Sequence, residues 1–256
     1  MVPSKSQSIL LDRLINRDLS NPAHKTNLHL HYSLEYPDTG KSFLDFDREK
    51  IRVVAKDPAI HPNLNMDRVM NNKLRWITLG GQYDWTRKLY PDGLPPQFPK
   101  DIYDLLHGAF PDMEPQAAIG MSLIRFRCHI RLTLRYAVNL YSPGDTLSLH
   151  RDVSEEVDRG LVSISLGCEA IFMIGTTSND GINSQYQVLR LRSGDAVYMS
   201  GVARYAWHGV PKIIANTCPK DLENWPGESH PAWTGYMKNK RVNLNVRQMF
   251  DTSNCV

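Results

Sequence analysis

Alternation with a period of two runs through the C-terminal half of this chain and leaves little room for anything but antiparallel sheet. Val162, Ile164 and Leu166 alternate with Ser163 and Ser165, and Leu189 and Leu191 alternate with Arg190 and Arg192. The turn Ser193-Gly194-Asp195 then leads into Ala196-Val197-Tyr198-Met199. Successive side chains of a strand point to opposite faces, so each alternation sets one row on a core and the other on water or a cavity. Short strands separated by turn signals favour a sandwich, barrel or jelly roll. A chain of 256 residues suits one large domain of that kind. With 41 % hydrophobic residues and 22 % charged ones it can bury a sizeable core, which excludes wholesale disorder.

Ahead of the strands, residues 1–70 are polar and spotted with Pro and His. They read as an N-terminal extension packing on the core, with one surface helix beginning near Ser6 and carrying Ile9 and Ile15. A second helix is signalled in PKDIYDLLHGAF, where Pro99 stands near the start and Ile102, Leu105, Leu106 and Ala109 recur at helical spacing. The expected class is mainly β with flanking helices (α+β), a core domain over 71–250 and a short tail at 251–256. No apolar run approaches the roughly 18 residues a membrane span needs. The formal charge of +3 neither demands nor excludes a nucleic-acid partner. Cys128, Cys168, Cys218 and Cys255 are widely spaced, with no Cys-x-x-Cys pair, which fits a reducing compartment better than a zinc knuckle or disulfide framework. The first 20 residues carry acids inside their apolar stretch, unlike a secretory signal. An intracellular monomer is the expectation.

Four pieces of sequence carry chemistry. In LSLHRDVSEE, His150 and Asp152 stand two apart on an extended segment, so both side chains point the same way. Alone, such a pair is more often a surface ion pair than a metal site. His208, in ARYAWHGVPK, supplies a second histidine, although a loop histidine bonded to backbone is its plainer reading. Two histidines and a carboxylate form a three-cornered face that suits Fe(II) and leaves further positions open. The segment RVNLNVRQMF places Arg241, Asn243, Asn245 and Arg247 on one strand face and Val242, Leu244 and Val246 on the other. That polar face belongs either to an edge strand turned to water or to a cavity holding an anion, which a guanidinium grips with two parallel hydrogen bonds. Finally, Asn139 and Tyr141 share a strand face just before the turn Ser142-Pro143-Gly144-Asp145.

The ordered set Asn-x-Tyr, His-x-Asp, His and Arg-x-Asn-x-x-x-Arg resembles the AlkB family of Fe(II)- and 2-oxoglutarate-dependent dioxygenases, and within it the eukaryotic AlkB homologue 1 branch. LRWITLGGQYDWTRKLYP, SLGCEAIFMIG, LRSGDAVYMSG and RVNLNVRQ add to the likeness, which spans about residues 73 to 250. The resemblance implies a double-stranded β-helix, a jelly-roll relative, with Fe(II) held by His150, Asp152 and His208. It implies that Arg241 pairs with the far carboxylate of 2-oxoglutarate, that Asn139, Tyr141 and Arg247 bind its other end or shape the pocket, and that Asn243 orients its neighbours. The implied reaction consumes O₂ and 2-oxoglutarate and demethylates nucleobases in RNA or DNA, such as N1-methyladenine in tRNA or methyladenine in either polymer. It releases formaldehyde, succinate and CO₂. A hydroxylase or demethylase of a protein side chain, and a catalytically silent jelly-roll module, are the competing readings. Cytoplasm, nucleus and mitochondrion are all open as its location.

Substrate recognition falls by the same resemblance on a lid over about 76–92, where Trp85 would stack on the base and Arg87, Lys88 and Tyr90 would approach phosphates. Trp76 is expected in the core, and Trp85 is open between the core and the base. Lys212, Lys220, Lys238 and Lys240, in or beside the long loop before the last strand, could touch phosphate or simply be solvated. Residues 120–137 interrupt the family pattern with Arg125, Arg127, Arg131 and Arg135 and no acid, and read as an insertion or as intron sequence kept in frame.

Overall fold

The computed structural model describes residues 1–80, 99–102, 104, 134–153, 160–177 and 184–248. The alternating serines and aliphatics fold as strand β8 (Leu161–Gly167), and the last alternation as β13 (Arg241–Gln248). Between and before them lie β5 (Trp76–Gly80), β6 (Leu134–Tyr141), β7 (Leu147–His150), β9 (Ala170–Thr177), β10 (Ser184–Leu191), β11 (Ala196–Met199) and β12 (Trp207–Ile213). With the two-residue β1 (Lys25–Thr26), they build a six-stranded sheet in the order β1-β5-β6-β13-β8-β11 and a four-stranded sheet in the order β10-β9-β12-β7. From β6 onward the chain passes back and forth between these sheets, staying only at the β9–β10 hairpin. That winding is the double-stranded β-helix that the family resemblance implies. A small third sheet joins β2 (Tyr32–Leu34), β3 (Ile51–Ala55) and β4 (Leu64–Asn65).

Strand β13 is no edge. It pairs antiparallel with β6 on one side and β8 on the other, so its backbone donors and acceptors are spent on both flanks. Val242, Leu244 and Val246 are buried in the core at 1 % exposure or less, and the opposite face turns inward between the two sheets. Of the two readings open for the Arg/Asn face, the structure therefore selects the cavity.

The N-terminal helix α1 (Ser4–Leu11) continues as π-helical turns through Asp12–Asp18. It sits deeper than the surface helix expected, because Leu10, Leu11, Leu14 and Ile15 are fully buried in the same cluster as the sheet residues. Polar ties hold it there. The Val2 amide donates to the Gly194 carbonyl at 2.7 Å, and Ser193 Oγ donates to Gln7 Oε1 at 2.6 Å. Gly194 has φ +86°, and a Cβ there would come within 2.8 Å of the Val2 carbonyl, so this turn requires glycine. In the second predicted helix Lys100, Asp101, Ile102 and Asp104 are helical. Asp101 pairs with Arg13 at 2.8 Å and Arg17 at 2.6 Å, while Leu105, Leu106 and Ala109 lie outside the described residues.

Strand β6 runs unbroken from Leu134, so the last four residues of the 120–137 stretch form the first half of the strand that presents Asn139 and Tyr141. The rest of that stretch lies outside the described residues. Two free thiols, Cys168 and Cys218, are buried.

Candidate active site

A cavity of about 570 Å³ opens between the two sheets. Its walls include Asn139, Arg241, Asn243 and Asn245 from the six-stranded sheet and His150, Phe172, His208 and Val210 from the four-stranded one. Strand pairing brings the functional side chains together across long sequence distances. His208 on β12 stands opposite His150 on β7, and their rings lie 4.4 Å apart between centroids. On the other wall Arg241 faces Tyr141 and Asn243 faces Asn139 in the β13·β6 register.

His150, Asp152 and His208 each offer one ligand atom, all within 4.8 Å of one another. His150 Nδ1 meets the Ser148 carbonyl at 2.9 Å and His208 Nδ1 meets the Ala206 carbonyl at 3.0 Å. A carbonyl only accepts, so both histidines carry their proton on Nδ1 and present a lone pair on Nε2. The Asp152 carboxylate is divided in the same way. Its Oδ1 accepts from Arg247 Nη1 at 2.8 Å, while Oδ2 is buried, 3.6 Å from His208 Nε2, and accepts no hydrogen bond from the described residues. Burial opposes ionisation of this carboxyl, but the Arg247 guanidinium against Oδ1 outweighs it and holds Asp152 well below the usual carboxylate range. Two imidazole lone pairs and one orphaned carboxylate oxygen, all aimed at one point, are the donor set of a two-histidine, one-carboxylate iron site, and the residues fit the metal.

The chain leaves strand geometry at His150, so Asp152 is not positioned by a ladder. Arg204 does that work from 52 residues away: it is 1 % exposed and its Nη1 donates to the Asp152 carbonyl at 2.8 Å. Arg204 stands in the quoted segment ARYAWHGVPK, yet nothing local distinguishes it from a surface arginine.

Arg241 is the counterpart at the other end. It is 1 % exposed, its Nη2 donates to Ser165 Oγ at 2.9 Å, and the Tyr141 ring lies under the guanidinium at 5.4 Å. Among the described residues, Nε and Nη1 have no hydrogen-bond acceptor. Burial lowers Arg241 to about 10, which leaves it a cation at neutral pH, and burial raises the Tyr141 hydroxyl above its ordinary value. A buried cation with two idle donors on a cavity wall is satisfied by a carboxylate, which is what a 2-oxoglutarate site needs. Asn243 donates from Nδ2 to Ser163 Oγ at 2.7 Å and to the Ile164 carbonyl at 3.1 Å, so it is fixed by β8. Asn139 lines the cavity half-buried.

Two expectations change. Trp76, expected in the core, is half-buried and lines the cavity together with Thr78, Leu30 and Met199. Lys240, counted among the lysines that could reach phosphate, is buried and donates to the Asn71 carbonyl at 2.7 Å and Ser142 Oγ at 2.8 Å. Lys212, Lys220 and Lys238 are exposed. Trp85, Arg87, Lys88 and Tyr90 lie outside the described residues. Ser165 was also missed as a site residue, although its alternation with aliphatics already put it on the face of β8 shared with Ser163.

The model of the 2OG-Fe(II) oxygenase superfamily matches residues 48–247. The chain is 47 % identical to the N6-methyladenosine RNA demethylase ALKB1 of Pyricularia oryzae, covering 97 % of this chain and 72 % of that protein. It is also 47 % identical to the N6-methyladenosine RNA demethylase ALKBH of Cryphonectria parasitica, covering 88 % of this chain and 100 % of that one. It is 38 % identical to the tRNA demethylase abh1 of Schizosaccharomyces pombe, covering 97 % and 76 %. With a matching superfamily model, these relatives and the converging His, Asp and Arg side chains, the chain belongs to the AlkB family of dioxygenases that use Fe(II), 2-oxoglutarate and O₂.

Proposed function

We propose that this enzyme removes methyl groups from adenine in nucleic acid by oxidation, with N6-methyladenosine in RNA as the substrate to test first. The observation that carries the reading is the shared cavity, which holds the His150/Asp152/His208 face, the Arg241 cation and an aromatic wall at Trp76 within about 570 Å³. That is room for a dicarboxylate and a planar base side by side. The relatives named above for RNA and tRNA demethylation support the choice of polymer.

His150, Asp152 and His208 would hold Fe(II), and Arg241 with Tyr141 beneath it would hold the far carboxylate of 2-oxoglutarate. Asn139 would serve the near end, with Asn243 and Arg247 fixing the wall and Asp152 in place. When bound, iron and 2-oxoglutarate supply an oxidation in which one oxygen atom of O₂ ends in succinate, with loss of CO₂, and the other enters a substrate C–H bond. On an N-methyl group the resulting hydroxymethyl amine breaks its C–N bond and releases formaldehyde. A base reaches such a site only after leaving its stack, and the half-buried Trp76 offers a face that offsets part of that cost. This moves the stacking role from Trp85 to Trp76 and leaves Trp85, Arg87, Lys88 and Tyr90 as the expected cover.

The test supplies purified protein with Fe(II), ascorbate and 2-oxoglutarate, and compares RNA oligonucleotides carrying N6- or N1-methyladenosine with DNA carrying N6-methyldeoxyadenosine. Formaldehyde and succinate in equal amounts from an RNA substrate, abolished by His150→Ala, is the expected result. Succinate without formaldehyde from any nucleic acid would favour a protein side chain as substrate. No succinate under any condition would leave a silent binding module. We further propose that the protein works inside the cell, a reading its buried free thiols Cys168 and Cys218 support, and that it acts as a monomer. Sedimentation and imaging of a tagged chain test those two points.

A further inference from the structure

The cavity has a rim built from the N-terminal region. Leu30 lines the cavity with Trp76 and Thr78, yet 49 % of it remains open to solvent, so it stands where the cavity meets the surface. It ends a short 3₁₀ turn, Asn27–Leu30, whose start is capped by Thr26 and His29 in a reciprocal pair of bonds. The Asn27 side chain fastens the turn to the base of β5. Nδ2 donates to the Lys73 carbonyl at 2.8 Å, and Oδ1 accepts from the amides of Arg75 at 2.8 Å and Trp76 at 3.3 Å. A large apolar side chain is thus held rigidly, half in water, beside the aromatic wall of the active site.

Its surroundings are aromatic and basic. The exposed His31 ring lies 4.6 Å from that of His61, which lies 5.6 Å from Tyr32. Lys56 is exposed and its Nζ donates to the His29 carbonyl at 2.7 Å, which sets the ammonium over the end of the turn. Lys25, also exposed, stands opposite the cavity residue Thr78 in the β1·β5 pair. Residues 24–31 contain no carboxylate, and Asp57 is the one acid in the turn 56–61.

We propose that this rim is a second nucleic-acid wall, taking the single strand that flanks the target nucleotide. Leu30 abuts the neighbouring base, the His31–His61 pair offers it a stacking face, and Lys56 and Lys25 take phosphates. Rings interleaved with cations along a backbone track are how sequence-tolerant binding to single strands is achieved, and apolar side chains such as leucine can wedge between neighbouring bases. The proposal rests on the nucleic-acid reading above and adds a surface to it.

The experiment measures binding of a fluorescein-labelled single-stranded RNA oligonucleotide carrying one N6-methyladenosine to the full chain, as a function of salt. Co(II) titration and thermal unfolding check that each variant keeps its metal site and fold. Leu30→Asp and His61→Ala should each weaken binding roughly tenfold. Lys56→Glu should weaken it several-fold and lower the slope of log affinity against log salt by roughly one. Wild-type affinity and slope in all three folded variants would overturn the inference while leaving the demethylase reading standing. A wild-type chain that neither binds nor demethylates this RNA or its DNA and N1-methyl counterparts would overturn both.

Discussion

The two ends of the cavity are built by different means. The cosubstrate wall lies on β6, β13 and β8, adjacent strands of the larger sheet, and the register alone sets Arg241 opposite Tyr141 and Asn243 opposite Asn139. The metal wall hangs on β7, a four-residue strand at the edge of the smaller sheet, with Asp152 two residues beyond its end. There the backbone ladder has run out, and side chains replace it: Arg247 holds the carboxylate and Arg204 holds the carbonyl of the same residue. Precision at one end comes from many weak, cooperative backbone bonds; at the other those bonds place His150 and His208, but Asp152 depends on two charged side chains. The metal end should therefore be sensitive to single distant residues in a way the cosubstrate end is not.

The largest effect tests the shared dependence of both ends on the metal. His208→Ala removes one of three ligands and should abolish both Co(II) binding and succinate formation, with the protein still folded. Next, Arg241→Ala should cost about 2–5 kcal/mol of 2-oxoglutarate affinity, the usual penalty for truncating one partner of a buried charge pair, while leaving Co(II) affinity close to wild type. Arg241→Lys should recover only part, since an ammonium cannot make the paired hydrogen bonds. A joint loss of metal and cosubstrate binding in either variant would break the separation of the two ends.

A smaller, more discriminating effect is expected at Arg204. Arg204→Met should lower metal affinity by about 10–100-fold, the range typical for residues that orient metal ligands, with the KM for 2-oxoglutarate at saturating metal little changed. Rescue by Arg204→Lys would separate loss of the hydrogen bond from loss of packing. Equal metal affinity in Arg204→Met would show that Arg247 alone positions Asp152. The smallest effect concerns acid. The folded carboxyl of Asp152 lies below its ordinary value of 3.8, so the metal-free protein gains stability from it at higher pH. That gain is lost as pH falls below the ordinary value and through the folded one. Arg247→Met should remove it, so urea unfolding of the variant should fall less steeply with acidification, and the two proteins should converge in stability at low pH.

Much of this was legible because a strand writes its facing pattern into the sequence. The Ser/aliphatic alternation of β8 and the Arg/Asn against Val/Leu alternation of β13 give the strands and their two faces directly. His-x-Asp was legible as a pair for the same reason. The misplacement of Trp76 has a physical cause: an aromatic residue opening a strand has the same local signature whether it turns to a core or to a cavity between sheets. Lys240 was misjudged because a lysine in a polar loop looks solvated until a carbonyl from residue 71 and a hydroxyl from residue 142 are brought to it.

What the amino-acid order determined by itself is therefore periodic and local: which segments are strands, which rows of side chains share a face, and which residue types could ligate iron or grip a carboxylate. Only the tertiary structure decided that β13 is central rather than an edge, that Asp152 leaves its strand into the hold of Arg204, and that a turn near residue 30 becomes the rim of the active site. The reason is that period-two geometry is enforced within a few residues by backbone sterics. The identity of a strand's neighbours, and of the side chains that reach a buried ligand, depends on pairings between segments tens to hundreds of residues apart, which no local pattern encodes.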